Sequence, residues 1–144
     1  MVADPAALRR AADALAGAKG PVAVDTERAS GYRYSQRAYL VQLRREGAGT
    51  WLVDPIALGG RLDPLVQALD GTEWVLHAAS QDLPCLAELG MIPPRLYDTE
   101  LAGRLAGFDR VNLAAMVERL LGLHLVTKSD AAKTQGKVKY GKRD

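Results

Sequence analysis

Val22-Ala23-Val24-Asp25-Thr26-Glu27 is a short apolar run that passes directly into two carboxylates. It reads as a buried β-strand whose far end carries the acids, since Gly17 and Gly20 close the segment before it. Residues two apart on a strand share a side, so Asp25 and Glu27 aim together into one space. Such a pair can be two solvated acids at a strand end. It can also be half of a cation site, because mutual repulsion and desolvation are relieved best by a hard divalent ion with oxygen ligands. Asp82 favours the second reading. It falls at the start of the helix following a predicted strand over Trp74 to Ala78, and open α/β sheets commonly carry their crevice at the carboxyl ends of strands. If those two strands are neighbours, Asp25, Glu27 and Asp82 meet in one cleft; otherwise Asp82 is a first-turn carboxylate facing a helix dipole.

Upstream, Asp4-Pro5 joins a capping oxygen to a preset φ, and Leu8, Ala11, Ala12 and Leu15 form one apolar stripe, which predicts a helix. Downstream, Ala38 to Leu43 and Thr50 to Val53 read as two strands joined by a turn with Gly47 and Gly49, hence a hairpin. Asp63-Pro64 repeats the cap-plus-proline helix start, with Leu65, Val66 and Leu69 on its apolar face. Ser80 is expected to cap the helix after the next strand, Pro84 falls in its first turn, and Gly90 ends it. A short run over Arg95 to Tyr97 precedes a helix that starts at Asp98 or Thr99 and runs to about Leu105. Asn112 caps the clearest amphipathic segment, in which Leu113, Met116, Val117, Leu120 and Leu121 predict a buried stripe ended by Gly122. This order of elements predicts an α/β domain with a mixed sheet. Apolar periodicity stops at Thr127, so residues 1–126 read as the domain and 127–144 as a basic, disordered tail.

With 48% apolar and 25% charged residues, the 144-residue chain has the make-up of one globular domain. Asp4, Arg9, Arg10, Asp13 and Lys19 interrupt the first twenty residues, which excludes a signal peptide or membrane span there and makes a cytoplasmic address the default. Cys85 is the only cysteine, so an internal disulfide and a thiolate zinc cluster are both excluded. Its expected place is the core side of a helix. The net charge of +2 is unevenly spread, with six Lys or Arg against two Asp in the last twenty residues.

With those residues in place, the chain resembles a known family. Val22 to Glu27 is similar to the first motif of the DEDD exonuclease superfamily, and His77-Ala78-Ala79-Ser80-Gln81-Asp82-Leu83-Pro84-Cys85-Leu86 to its second. Ala29-Ser30-Gly31-Tyr32-Arg33-Tyr34-Ser35 and Tyr97-Asp98-Thr99-Glu100-Leu101-Ala102 resemble the ribonuclease D branch, of actinobacterial type. Four segments in order, within a match from about Val22 to Leu125, make a specific signal. The resemblance implies a ribonuclease H-like mixed sheet with flanking helices. It further implies a metal-dependent 3′-to-5′ exoribonuclease that shortens RNA 3′ ends, such as those of transfer RNA precursors, to nucleoside 5′-monophosphates. Two divalent ions, Mg²⁺ or Mn²⁺, belong to that expectation. By the same resemblance Asp25 bridges both ions, Glu27 binds the nucleophile-side ion and the terminal 3′-hydroxyl, and Asp82 holds the second ion.

The family's third motif, Tyr-x-x-x-Asp on a late helix, has no matching lead-in here. Tyr140 and Asp144 have its spacing within a Gly- and Lys-rich terminus, and are the candidates for orienting the attacking water and completing the site. The domain is therefore expected to be incomplete at its C-terminus. The alternatives are an inactive exonuclease-fold module that only binds nucleic acid, and a DNA proofreading exonuclease with the same ligands. Arg28, Arg33, Arg37, Arg44 and Arg45 interleave with Tyr32, Tyr34 and Tyr39, offering guanidinium groups to phosphates and aromatic faces to the bases of a single-stranded 3′ end. From this region Thr26, Arg28, Tyr32, Arg33 and Tyr34 are the expected nucleic-acid contacts, the alternative being a solvated loop with Tyr39 packed in a strand. His77 is expected to be structural, because an oxygen-ligated Mg²⁺ needs no imidazole; Asp98 reads as a helix cap and His124 as incidental. The expected partner is the 3′ end of a structured RNA, with no membrane, no protein partner and a monomeric state.

Overall fold

The computed structural model describes residues 1–28 and 37–126. Tyr32, Arg33, Tyr34, Tyr140, Asp144 and the basic tail lie outside the described residues. The chain packs as two units, Met1–Ala102 and a second from Gly103 onward.

In the first unit, helix α1 (Pro5–Ala16) starts where its sequence dictates: Asp4 Oδ1 accepts the Ala7 N–H at 2.8 Å and Pro5 opens the first turn. Leu8, Ala11, Ala12 and Leu15 enter one core with Val22, Val24, Val41, Leu43, Trp74, Leu76 and Leu86. Each large apolar side chain so buried stabilises the fold by about 1.5–3 kcal/mol relative to exposure. Five strands form the sheet: β1 (Val22–Arg28), β2 (Ala38–Arg45), β3 (Gly49–Val53), β4 (Glu73–Leu76) and β5 (Arg95–Asp98), in the order β3-β2-β1-β4-β5. β2 pairs antiparallel with β1 and β3, whereas β4 pairs parallel with β1 and β5, so the sheet is mixed as expected. The hairpin turns through Gly47 and Gly49, at φ of 86° and 77°, a conformation that a Cβ disfavours.

Several local expectations are corrected. The run from Val22 is not buried throughout: Val22, Val24 and Thr26 face the core while Ala23 and Asp25 are exposed, although the acids do lie towards the far end of β1 as expected. β4 stops at Leu76 instead of Ala78, because Ala78 adopts a left-handed φ of 57° that takes the chain out of the sheet. Ser80 caps nothing; it sits inside a 3-10 turn, Ala79–Gln81, that leads into helix α3 (Leu83–Glu88). Asp63 is the first residue of helix α2 (Asp63–Ala68), whose cap position is Leu62 without a side-chain hydrogen bond. Cys85 is buried on α3, the core side of a helix, as expected.

Helix α4 (Thr99–Leu105) follows β5. In the second unit, helix α5 (Leu113–Leu121) has its predicted ends, with Asn112 Oδ1 accepting the Ala115 N–H at 2.9 Å and Gly122 in the left-handed region. Its stripe is a correction. Met116 is buried, at a place where a Cβ on Gly103 would lie 2.8 Å from the Met116 Cε, but Leu113, Leu120 and Leu121 are 48%, 58% and 66% exposed. Periodicity identifies a helix face, not a neighbour to cover it. The Arg119 guanidinium stacks over the Phe108 ring, 4.2 Å from its centroid. No helix among the described residues is long and apolar enough to cross a membrane.

Candidate active site

Because β1 and β4 run parallel side by side, their carboxyl ends reach the same edge of the sheet. Asp25 and Glu27 project from β1 on the side opposite Val24 and Thr26, as the two-residue repeat requires. The pairing of β1 with β2 slips between Glu27 and Arg28, a bulge that bends the strand beside its acids. Beyond β4 the left-handed Ala78 and the 3-10 turn deliver Asp82 to the start of α3, where it is 5% exposed.

The end of β1 and this turn are stitched together. The Thr26 hydroxyl donates to Asp82 Oδ1, the Cys85 thiol donates to the Asp82 carbonyl at 3.0 Å and lies 3.5 Å from Thr26 Oγ1, and Arg28 Nη1 donates to the Gln81 carbonyl at 2.6 Å. Asp25 has a weaker anchor, the Gln42 amide at 3.4 Å. Partial burial, followed by the negative charges of Asp82 and Glu27, holds the Asp25 carboxyl above the usual carboxylate range, against the pull of the Thr26 N–H and the Arg28 charge. Thus Asp82 is within electrostatic reach of Asp25, as the strand order anticipated.

The three acids do not form a ready-made cage, which corrects the simplest expectation. Among the described residues no group of three Asp, Glu, His or Cys is placed to hold a metal ion. The Asp82 carboxylate is taken up instead by Thr26, on the core side of β1. The donor chemistry nevertheless fits a hard divalent ion: the groups are carboxylate oxygens, and their mutual repulsion is what such an ion removes.

The nucleic-acid candidates separate. Thr26 is 7% exposed and serves Asp82, so its hydroxyl is not offered to a ligand. Arg45 is buried and donates to the Leu15 and Gly20 carbonyls, each at 2.9 Å, tying β2 to the end of α1. That removes it from the phosphate-binding set. Arg44 donates to Thr50 at 2.8 Å along the hairpin, and Tyr39 stands exposed on β2 rather than packed. His77 is structural, its Nδ1 2.9 Å from Thr99 Oγ1, and His124 is exposed. Asp98 has a wider role than its local sequence shows. It caps α4 as expected but also accepts N–H groups from the turn before Asp82, a long-range contact with no local signal beyond the cap itself.

A mixed five-stranded sheet with flanking helices and paired acids on its central strand defines a ribonuclease H-like exonuclease fold. The family described as 3′-5′ exonuclease matches residues 1–142, and the chain belongs to it. Ribonuclease D from Gluconacetobacter diazotrophicus is 39% identical over 108 residues, covering 72% of this chain and 27% of that protein. A crystal structure of a protein from Bifidobacterium adolescentis superposes with a TM-score of 0.85 at 44% identity, over 92% of this chain and 32% of the other. Escherichia coli RNase D, an exoribonuclease involved in structured RNA processing, superposes with a TM-score of 0.74 at 27% identity, over 92% of this chain and 39% of the other. The chain spans 27–29% of the length of the ribonuclease D relatives it matches first.

Proposed function

We propose that this chain carries the 3′-to-5′ exoribonuclease site of a ribonuclease D-like enzyme, acting on the single-stranded 3′ end of a structured, transfer-RNA-precursor-like RNA. The observation that carries the reading is the parallel pairing of β1 with β4, which delivers Asp25, Glu27 and Asp82 to one edge of the sheet in a chain of the exonuclease family. Asp25, Glu27 and Asp82 would hold two divalent ions, Mg²⁺ or Mn²⁺, with Tyr140 and Asp144 completing the site. When bound, such ions activate water and stabilise a departing oxygen.

The chain's own residues have separable tasks. Asp25 carries its charge under the influence of the Asp82 and Glu27 carboxylates, so neutralising ligands are drawn to it. Glu27 lies on the same side of β1 as Asp25 and, in this reading, would meet the terminal 3′-hydroxyl. Asp82 exchanges the Thr26 hydroxyl for the ligand, and the Cys85 thiol keeps hold of its main-chain carbonyl while it does so. In the reaction, water attacks the terminal phosphorus in line, the bond from phosphorus to the penultimate 3′-oxygen breaks, and that oxygen leaves with a proton. The product is a nucleoside 5′-monophosphate. Arg28, Tyr32, Arg33 and Tyr34 follow the first motif and are the proposed grip on the RNA end. The enzyme works as a monomer in the cytoplasm.

A second reading, a nucleic-acid-binding module without chemistry, is favoured by the engagement of Asp82 with Thr26. A 3′-labelled RNA incubated with the protein and Mn²⁺ separates the two. Label released as nucleoside 5′-monophosphate, lost in Asp25→Ala and on chelation, supports the enzyme. RNA retention with no release at millimolar Mn²⁺ supports the binding module. A matched DNA strand reads the dependence on the 2′-hydroxyl.

A further inference from the structure

Helix α4 needs only a local cap, and Asp98 provides one: its Oδ1 accepts the Glu100 N–H at 2.9 Å and the Leu101 N–H at 3.4 Å. The same carboxylate reaches a second segment. Oδ1 also takes the Ala78 N–H at 3.0 Å, and Oδ2 takes the Ala79 N–H at 2.9 Å. Those two amides open the turn that ends on Asp82, and among the described residues Ala78 is the non-glycine residue held at a positive φ. A residue with a Cβ keeps that conformation only where its surroundings enforce it. Thr99 adds to the grip, donating to the Leu76 carbonyl at 3.2 Å beside His77. On the far side of the turn, Arg28 holds Gln81.

We propose that Asp98 is a positioning residue, whose carboxylate clamps the turn over residues 77–82 to the start of α4 and thereby sets where Asp82 stands. The inference rests on reading Asp82 as a site carboxylate. Burial alone would raise the Asp98 carboxyl, but the four N–H groups hold it below the usual range, so it stays ionised as a strong acceptor. A cap-only residue would have no use for the second oxygen.

Two substitutions separate capping from clamping. In Asp98→Ser the hydroxyl still caps Glu100 and Leu101 but is too short to reach Ala78 and Ala79. Asp98→Asn keeps the length and one acceptor while presenting an NH₂ to the Ala79 N–H. In the serine variant, amide exchange at Ala78 and Ala79 should speed up at least about ten-fold while Glu100 and Leu101 stay protected. Cys85, the only thiol and a hydrogen-bond partner of Asp82, should react faster with a thiol reagent. Mn²⁺ affinity measured by calorimetry should fall about ten-fold or more, as loss of an outer support typically costs. The asparagine variant should recover part of all three effects. Unchanged exchange at Ala78 and Ala79, or unchanged Mn²⁺ affinity in the serine variant, overturns the clamp. A wild-type protein that binds no Mn²⁺ at millimolar concentration sinks the nuclease reading instead, and amide exchange and Cys85 reactivity then decide whether the clamp exists.

Discussion

Asp25 on β1 and Asp98 on β5 stand on the two strands that flank β4, and their surroundings drive them in opposite directions. Asp98 meets four main-chain N–H groups that outweigh its burial and lower its carboxyl, whereas partial burial and two neighbouring carboxylates raise that of Asp25. The difference separates structure from function. A carboxylate whose oxygens are filled by the backbone stabilises the fold, while one left among like charges is under-compensated until something positive arrives.

The largest expected effect breaks the comparison at its reactive end. Asp25→Ala should lower RNA trimming by about 10³-fold or more, the scale seen when a transition-state contact is removed. The matching stability test has the opposite sign: Asp25→Asn should raise the Tm of metal-free protein, because an unfavourable charge is gone. A nuclease that survives Asp25→Ala would show that the acids on β1 are bystanders.

Next in size, Asp98→Ser should destabilise the protein by about 1–3 kcal/mol in chemical denaturation, the cost of leaving polar groups unpaired. Arg45→Ala should cost a similar amount, about 1–3 kcal/mol, by stranding the Leu15 and Gly20 carbonyls, with RNA affinity unchanged. A loss of RNA binding without a loss of stability would return Arg45 to the phosphate contacts.

Acid titration sharpens the contrast. The lowered Asp98 contributes stability that is fully present above the ordinary carboxylate pKa and is lost as pH falls through its folded value. The raised Asp25 does the reverse: metal-free protein loses stability as pH climbs from the ordinary carboxylate range through the raised value, and Asp25→Asn should remove that component. Urea midpoints across the acid range, taken for wild type and each variant, resolve the two slopes. The smallest effect is expected on α5, where Leu120→Ala should change stability by no more than about 0.5 kcal/mol because Leu120 is already 58% exposed. A cost near that of a core leucine would mean that the stripe is covered after all.

How much of this was legible beforehand follows from the range of each interaction. Local chemistry placed the helix caps at Asp4 and Asn112, the hairpin at Gly47 and Gly49, and the central strand at Val22, since each depends on residues within a few positions. The expected neighbourhood of β1 and β4 is also present, and with it the approach of Asp82 to Asp25. Illegible were Arg45 turning into the core, the burial of Thr26 against Asp82, and the exposure of Leu113, Leu120 and Leu121. For Arg45 and Thr26 a side chain takes its partner from a distant segment, the leucines remain exposed among the described residues, and no periodicity encodes either outcome.

By itself, the order of residues determined the element types, the side of β1 that carries the acids and the motifs of an exonuclease, because backbone geometry repeats every two or 3.6 residues and motif chemistry is local. Tertiary structure alone decided which acids are satisfied and which are strained. Hydrogen bonds such as those from Ala78 and Ala79 to Asp98 join segments about twenty residues apart, and only folding brings their donors and acceptors within reach.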